Sequence, residues 1–235
     1  MTNKFKKGLK DGIPIAMGYL SVSFTFGIMA SSAGIPPAIA VLISMTNLTS
    51  AGQLAGLNII SSGGGYFEIA LSQLIINMRY ALMSVSLSQK FDSKISTFKK
   101  CLLSFGNTDE IFAVSMNQKE EINEKYFLGL MFLPYIFWTL GTLLGCLSGN
   151  FLPKSVISAL SIALYAMFIA IIIPPAKTYK PVAIVLTISI ILSCIFKFAP
   201  ILNKISSGFS VIIIAIISCV IGAFLFPIKE ENENE

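Results

Sequence analysis

The sequence contains no histidine, a single arginine (Arg79) and a single tryptophan (Trp138), and only 12% of its 235 residues are charged. Each shortage excludes something. Without histidine there is no Ser–His or Cys–His nucleophile pair, no histidine zinc site and no imidazole proton relay. A side chain that carries a proton near neutral pH must then be a carboxylate or another group shifted by its surroundings. The four cysteines (Cys101, Cys146, Cys194 and Cys219) are dispersed, three of them in apolar runs, with no CxxC spacing. They read as small buried hydrophobes, and no cofactor or metal is expected. The charged fraction is half the ~25% typical of a soluble domain, which excludes an ordinary soluble enzyme.

What is present in quantity is apolar: 54% of the residues are hydrophobic and the mean hydropathy is +0.78. The expected fold is all-α, a polytopic integral membrane helix bundle. A spanning helix needs about 20 mostly apolar residues, and six stretches meet this: 12–33, 66–88, 126–149, 155–174, 180–198 and 206–227. The first is longer than the ~7–15 apolar residues of a signal peptide, so it reads as a span. Two further stretches are irregular. Residues 36–62 are long enough to cross but have a small, polar middle, and residues 101–117 are short and carry two adjacent acids.

Positive charges decide how these two are arranged, because Lys and Arg concentrate in cytoplasmic loops. If all eight stretches cross, nine lysines fall inside and seven outside. If 36–62 and 101–117 are broken or re-entrant segments that return to the side they entered, the division becomes 13 inside and three outside. The second arrangement is expected, with six full spans and both termini cytoplasmic. Residues 1–235 then form one transmembrane transporter domain, with a basic cytoplasmic N-terminus over 1–11 and an acidic cytoplasmic tail over 229–235.

Non-helical backbone at membrane depth is tolerated only where protein buries it or a wet cavity receives it, so function is sought at the irregular segments. In the first, Asn47, Thr49, Ser50, Gly52 and Gln53 offer donors, acceptors and approachable backbone. They are candidate substrate-binding residues at an unwound break; the alternative is close helix packing through small residues. In the next span, Asn77 and Arg79 join them. Arg79 either snorkels towards the cytoplasmic end or pairs with Asp109, Glu110 or a substrate carboxylate. In the second irregular segment, Thr108 can cap a helix running to Met116, with Asp109 and Glu110 in its positive first turn. Beyond capping, these two acids are candidate proton-coupling groups. Glu68 lies at the outer end of a span, where interfacial solvation explains it. Gly141, Gly145 and Gly149 line one helix face for a partner helix that is internal, a second copy or another protein.

These stretches also carry a resemblance. The run TSAGQLAGL (Thr49–Leu57), then IINMRYALMSVSLS (Ile75–Ser88), then NTDEIFAVS (Asn107–Ser115) resembles the AzlC family, the large subunits of two-component branched-chain amino acid exporters. The likeness extends to GIPIAMGYLSVSFTFGIMASSAGI at Gly12–Ile35. The family's AG..Q, N-[aliphatic]-R-H/Y and TDE motifs match Ala51, Gly52 and Gln53; Asn77, Arg79 and Tyr80; and Thr108, Asp109 and Glu110. Thr49–Ser50 replace the aromatic often found before the AG pair, and Tyr80 stands where histidine is common. The resemblance implies secondary active export of leucine, isoleucine, valine and analogues across a bacterial cytoplasmic membrane, driven by the proton motive force. It also implies a small AzlD-type membrane subunit as partner. From the residues alone, a channel or passive facilitator and a structural subunit whose partner holds the site stay open. An enzyme is not expected.

Overall fold

The structure is a computed structural model that describes residues 3–148 and 172–227, together with Pro153, Ser155 and Ile169. The described residues are helical throughout, apart from turns and one isolated bridge between Phe91 and Ile122. In chain order the helices are α1 (Asn3–Ser32), α2 (Pro37–Thr46), α3 (Ser50–Ser61), α4 (Tyr66–Lys90), α5 (Thr97–Ser104), α6 (Asp109–Met116), α7 (Glu124–Ser148), α8 (Lys180–Phe198) and α9 (Ser207–Leu225). Four of them, α1, α7, α8 and α9, are long and apolar enough to cross a membrane. They match four of the expected spans. The 25 residues of α4 rise about 37 Å at 1.5 Å each, the length of a crossing, although Glu68, Gln73, Asn77 and Arg79 lower its hydropathy. The expected span 155–174 falls mostly outside the described residues, as do Gly149 and the tail 229–235.

The chain divides into two compact units, one of residues 1–57 and 76–164 and one of 58–75 and 165–235. The first is built on the seam between α1 and α7. Gly8, Gly12 and Gly27 of α1 lie against the Tyr126, Leu130 and Thr142 carbonyls; Gly129, Gly141 and Gly145 of α7 lie against the Phe5, Leu20 and Phe24 carbonyls. Contacts advance together along both helices, so α1 and α7 run parallel. Missing side chains let the two backbones touch, as small residues do in membrane helix pairs. The partner of the Gly141–Gly145 face is therefore internal.

The second irregular segment is a hairpin, and the first is a helix broken at Asn47. Lys99 Nζ pairs with Glu124 at 2.9 Å and Lys100 Nζ donates to the Ser88 carbonyl at 2.7 Å, which places the start of α5 at the N-terminal end of α7. The tip climbs to Met131 and Tyr135, where Gly106 and the Phe105 ring rest. α6 then returns: Lys90 Nζ donates to the Met116 carbonyl at 2.7 Å and Lys7 Nζ donates to Gln118 at 2.9 Å. Two of these lysines sit on the last carbonyls of helices, where a cation meets the negative end of the dipole.

The broken helix comes from the opposite end. α1 finishes in a Schellman turn: Ile35 N–H reaches the Ala30 carbonyl at 2.9 Å and Gly34 takes φ +79°. Only glycine enters that conformation without strain. Pro37 then opens α2, where its missing N–H costs nothing. α2 runs down to Ser44, which shares a 2.7 Å hydrogen bond with Thr142, and to the Met45 carbonyl, which accepts from Tyr135 at 3.2 Å. There Asn47 turns extended (φ −140°, ψ 103°) and ends the helix. α3 closes in a second Schellman turn at Gly63, φ +73°. From Ile76 onwards α4 descends towards Phe127, where Phe91 packs edge-on at 5.2 Å, so α4 runs opposite to α1.

For residues 101–117 this geometry selects the re-entrant arrangement. Lys90, Lys99 and Lys100 stand at the same end of the first unit as Lys7. By the positive-inside rule that end is cytoplasmic. A Lys94→Cys variant is expected to resist an impermeant thiol reagent added outside, while Ser62→Cys, on the turn after α3, reacts. Outside labelling of position 94 would contradict the arrangement.

In the second unit α8 and α9 form an antiparallel pair, with Gly222 of late α9 against Val185 of early α8. Glu68 overturns its sequence reading here. It is only 6% exposed rather than solvated at an interface. Its carboxylate accepts from the Ser206 hydroxyl and from the Gly208 N–H at 3.1 Å. Gly64 and Gly208 close over it, and the exposed first N–H groups of α9 supply the donors that replace water.

Candidate functional site

The hairpin tip and the helix break belong to one unit, and each ends in a helix N-terminus. Thr49 caps α3, its hydroxyl accepting from the Gly52 N–H at 3.3 Å. Thr108 caps α6, its hydroxyl accepting from the Ile111 N–H at 3.4 Å. Serine and threonine are favoured at such positions because the side-chain oxygen satisfies one of the helix's orphan donors. The capping expectation for Thr108 is met, and Asp109 and Glu110 occupy the first turn behind it.

Arg79 does not snorkel. From the middle of α4 its Nη2 reaches Asp109 at 3.0 Å and donates to the Tyr80 hydroxyl at 3.1 Å, with the guanidinium 4.8 Å from the Tyr80 ring centre. The Tyr80 hydroxyl also faces Thr49 and Asp109. This one phenol thus stands between the helix break, at Thr49, and the hairpin tip, at Asp109. The ion pair remains 46% exposed on the Arg79 side and 38% on the Asp109 side. A half-exposed ion pair at the middle of a crossing helix requires water or further protein beside it.

Glu110 has a different partner. Its Oε2 lies 2.6 Å from the Tyr19 hydroxyl of α1, which lies 2.6 Å from Thr108 Oγ1 as well. Tyr19 packs edge-on against Trp138 with ring centres 5.1 Å apart, fixing the phenol. Neighbouring this cluster, Asn107 Nδ2 donates to Ser84 Oγ at 3.0 Å. Gln53 is 3% exposed; its Nε2 donates to Ser44 Oγ and to the Asn47 carbonyl, both at 3.0 Å. Among the described residues, Gln53 Oε1 and Asn107 Oδ1 are buried without a hydrogen-bond partner. Buried acceptors of this kind are costly in a finished core and are expected where a ligand or water completes the set.

Of the residues singled out in the sequence, Thr49, Arg79, Asp109 and Glu110 come together in one cluster. Asn47 and Gln53 lie beside Ser44 and Thr142, while Ser50 and Gly52 form the first turn of α3, and Asn77 precedes Arg79 on α4. The sequence reading did not select Tyr19, Ser44, Thr142 or Trp138. Hydroxyls spaced among apolar residues in long spans were the available signal, but isolated serines and threonines in membrane helices bond their own backbone, as Ser23 does to the Tyr19 carbonyl at 2.7 Å. Nothing in the sequence separates the two habits.

A re-entrant hairpin and a broken helix that start from opposite ends and meet at a charged cluster, among apolar spans, define a polytopic membrane protein of the transporting kind. The chain belongs to the AzlC family, a family of membrane transport proteins: residues 14–152 match the family described as AzlC protein. An uncharacterized membrane protein of Archaeoglobus fulgidus is 34% identical over 74% of this chain and 76% of its own. Inner membrane protein YgaZ of Escherichia coli is 28% identical, covering 72% of each chain. The branched-chain amino acid transport protein AzlC of Bacillus subtilis is 23% identical over 72% of this chain and 66% of its own. No solved structure gives a match. The family and the apolar helices place the protein in a cell membrane.

Proposed function

We propose that the protein is the large permease subunit of a secondary active exporter of leucine, isoleucine, valine and similar hydrophobic amino acids. It would work with a small AzlD-type membrane subunit and be driven by the proton motive force. The observation that carries this reading is the facing pair of capped helix N-termini with the Arg79–Asp109 ion pair between them. A zwitterion needs donors for its carboxylate and acceptors for its ammonium. Arg79 and the two helix N-termini are suited to the first role. Asp109 and the orphan amide oxygens of Gln53 and Asn107 are suited to the second. Apolar walls of the spans would receive an aliphatic side chain. Kinship with the Bacillus subtilis branched-chain amino acid transport protein supports the substrate class.

In this reading Asn47, Thr49, Ser50, Gly52, Gln53, Asn77 and Arg79 serve substrate, and Asp109 and Glu110 respond to the proton. The test is efflux of labelled leucine from preloaded cells that lack their own exporters, with and without an adjacent small membrane subunit. Efflux is expected to need both chains, to saturate with leucine, and to collapse with a protonophore. Non-saturable, protonophore-resistant flux would instead identify a passive facilitator, and no flux with both chains in the membrane would remove the substrate assignment.

A further inference from the structure

The two adjacent carboxylates of α6 have unlike partners, and this difference assigns them different work. Asp109 faces a permanent cation, Arg79, at 3.0 Å. Glu110 faces a neutral phenol at 2.6 Å, and neither ion pair among the described residues involves it. Arginine stays charged at any pH a cell meets, so a proton gained at Asp109 would leave that cation without its partner. Gain of a proton at Glu110 breaks no such pair.

Tyr19 adds the second half of the argument. Its hydroxyl lies 2.6 Å from both Glu110 Oε2 and Thr108 Oγ1, yet a phenol has one proton. It must donate to one neighbour and accept from the other. With Glu110 ionised, the carboxylate can only accept, so Thr108 donates to Tyr19 and Tyr19 donates to Glu110. When a proton adds to Glu110 Oε2, the new O–H donates to Tyr19, and Tyr19 turns its own proton to Thr108 Oγ1. Within the row one O–H bond is formed and none is broken, and Glu110–Tyr19–Thr108 keeps two hydrogen bonds in both states. The Trp138 ring against Tyr19 keeps the phenol in place through the exchange.

We infer that Glu110 is the group that takes up and releases the coupled proton, and that Tyr19 is the positioning residue that lets it do so without losing a hydrogen bond. This rests on the transport reading above and deepens it. The titratable and charged groups around Glu110 are few. α1 brings Tyr19, while Asp11 further back accepts from Tyr126 at 2.9 Å. α4 brings Arg79 and Tyr80, both engaged with Asp109. α7 brings Tyr126 and also Tyr135, whose hydroxyl is held by the Met45 carbonyl. Lys7 and Lys90 stand at the far end of α6, on Gln118 and the Met116 carbonyl.

The decisive measurement is the carboxylic-acid C=O stretch in infrared difference spectra of the purified protein in lipid, recorded across pH. It needs no substrate, so it stands or falls separately from leucine transport. The wild-type-minus-variant spectrum for Glu110→Gln should contain a titrating C=O band that Asp109→Asn retains. In Tyr19→Phe that band should move in frequency, because the acid's O–H loses the phenol oxygen it donates to. Thr108→Val, which keeps the phenol, should shift the frequency less. The inference is overturned if the band disappears in Asp109→Asn and survives in Glu110→Gln. It is equally overturned if Tyr19→Phe, folded by gel filtration, leaves the band at the wild-type frequency.

Discussion

Asp109→Asn and Arg79→Gln are each expected to abolish transport and to loosen the fold, whereas the double variant recovers stability without recovering transport. Each single change leaves one full charge at the middle of a crossing segment. An uncompensated arginine there costs about 2.5–3.5 kcal/mol on insertion scales. The pair is 46% and 38% exposed, so local water lowers that figure, to about 1 kcal/mol once screening is allowed for. Removing both charges leaves two neutral amides that can hydrogen-bond each other, and the penalty vanishes. Transport does not return, because a substrate carboxylate has lost its cation, a loss of about 10–100-fold for a charge-assisted pair. Thermal unfolding in lipid nanodiscs and leucine efflux, measured on all three variants, separate the two effects. A double variant no more stable than the singles would show that the two charges are not an electrostatic unit.

The second large effect lies away from the charged cluster. Gly145→Leu is expected to prevent folding, at a cost above about 3 kcal/mol, the upper part of the range for overpacked cores. The first carbon of the new side chain would overlap the Phe24 carbonyl and crowd Gly27 Cα. These are backbone atoms, which cannot rotate aside. α1 and α7 would have to separate along the seam that organises the whole first unit. Gly18→Leu on α1 is the control, since nothing lies within 4 Å of the position. Gel filtration in mild detergent should give a monodisperse peak for Gly18→Leu and aggregate for Gly145→Leu. Two equally sharp peaks would mean that the seam yields.

The spans and the two irregular segments were legible in the sequence for separate reasons. Length and hydropathy mark α1, α7, α8 and α9 directly. Lysine placement, a rule about insertion rather than structure, selects a hairpin over a crossing for residues 101–117, and the ladder from Lys99–Glu124 to Lys7–Gln118 follows that choice. Thr108 is legible because a capping threonine followed by two acids is a local pattern. Tyr19 is not, because its role depends on a residue 91 positions away and its neighbours in sequence are those of any membrane helix. Glu68 was misread for a related reason. Its position near a helix end suggests solvation, but Gly208, which shuts water out and donates to it, lies 140 residues further on. The glycine face on α7 announced a close approach without naming the partner, since Gly8, Gly12 and Gly27 are spaced too unevenly to advertise a matching face.

The equal depth of Arg79 and Asp109 has an electrical consequence. A membrane potential does work of about 2.3 kcal/mol per elementary charge per 100 mV on charge that crosses it. Two opposite charges 3.0 Å apart at one level cancel almost completely, and so do the ends of a zwitterion lodged beside them. In the exporter proposed above, the resting site and the site loaded with an amino acid would both be nearly silent to voltage. A proton arriving from one face and leaving by the other would be the charge that feels the full drop.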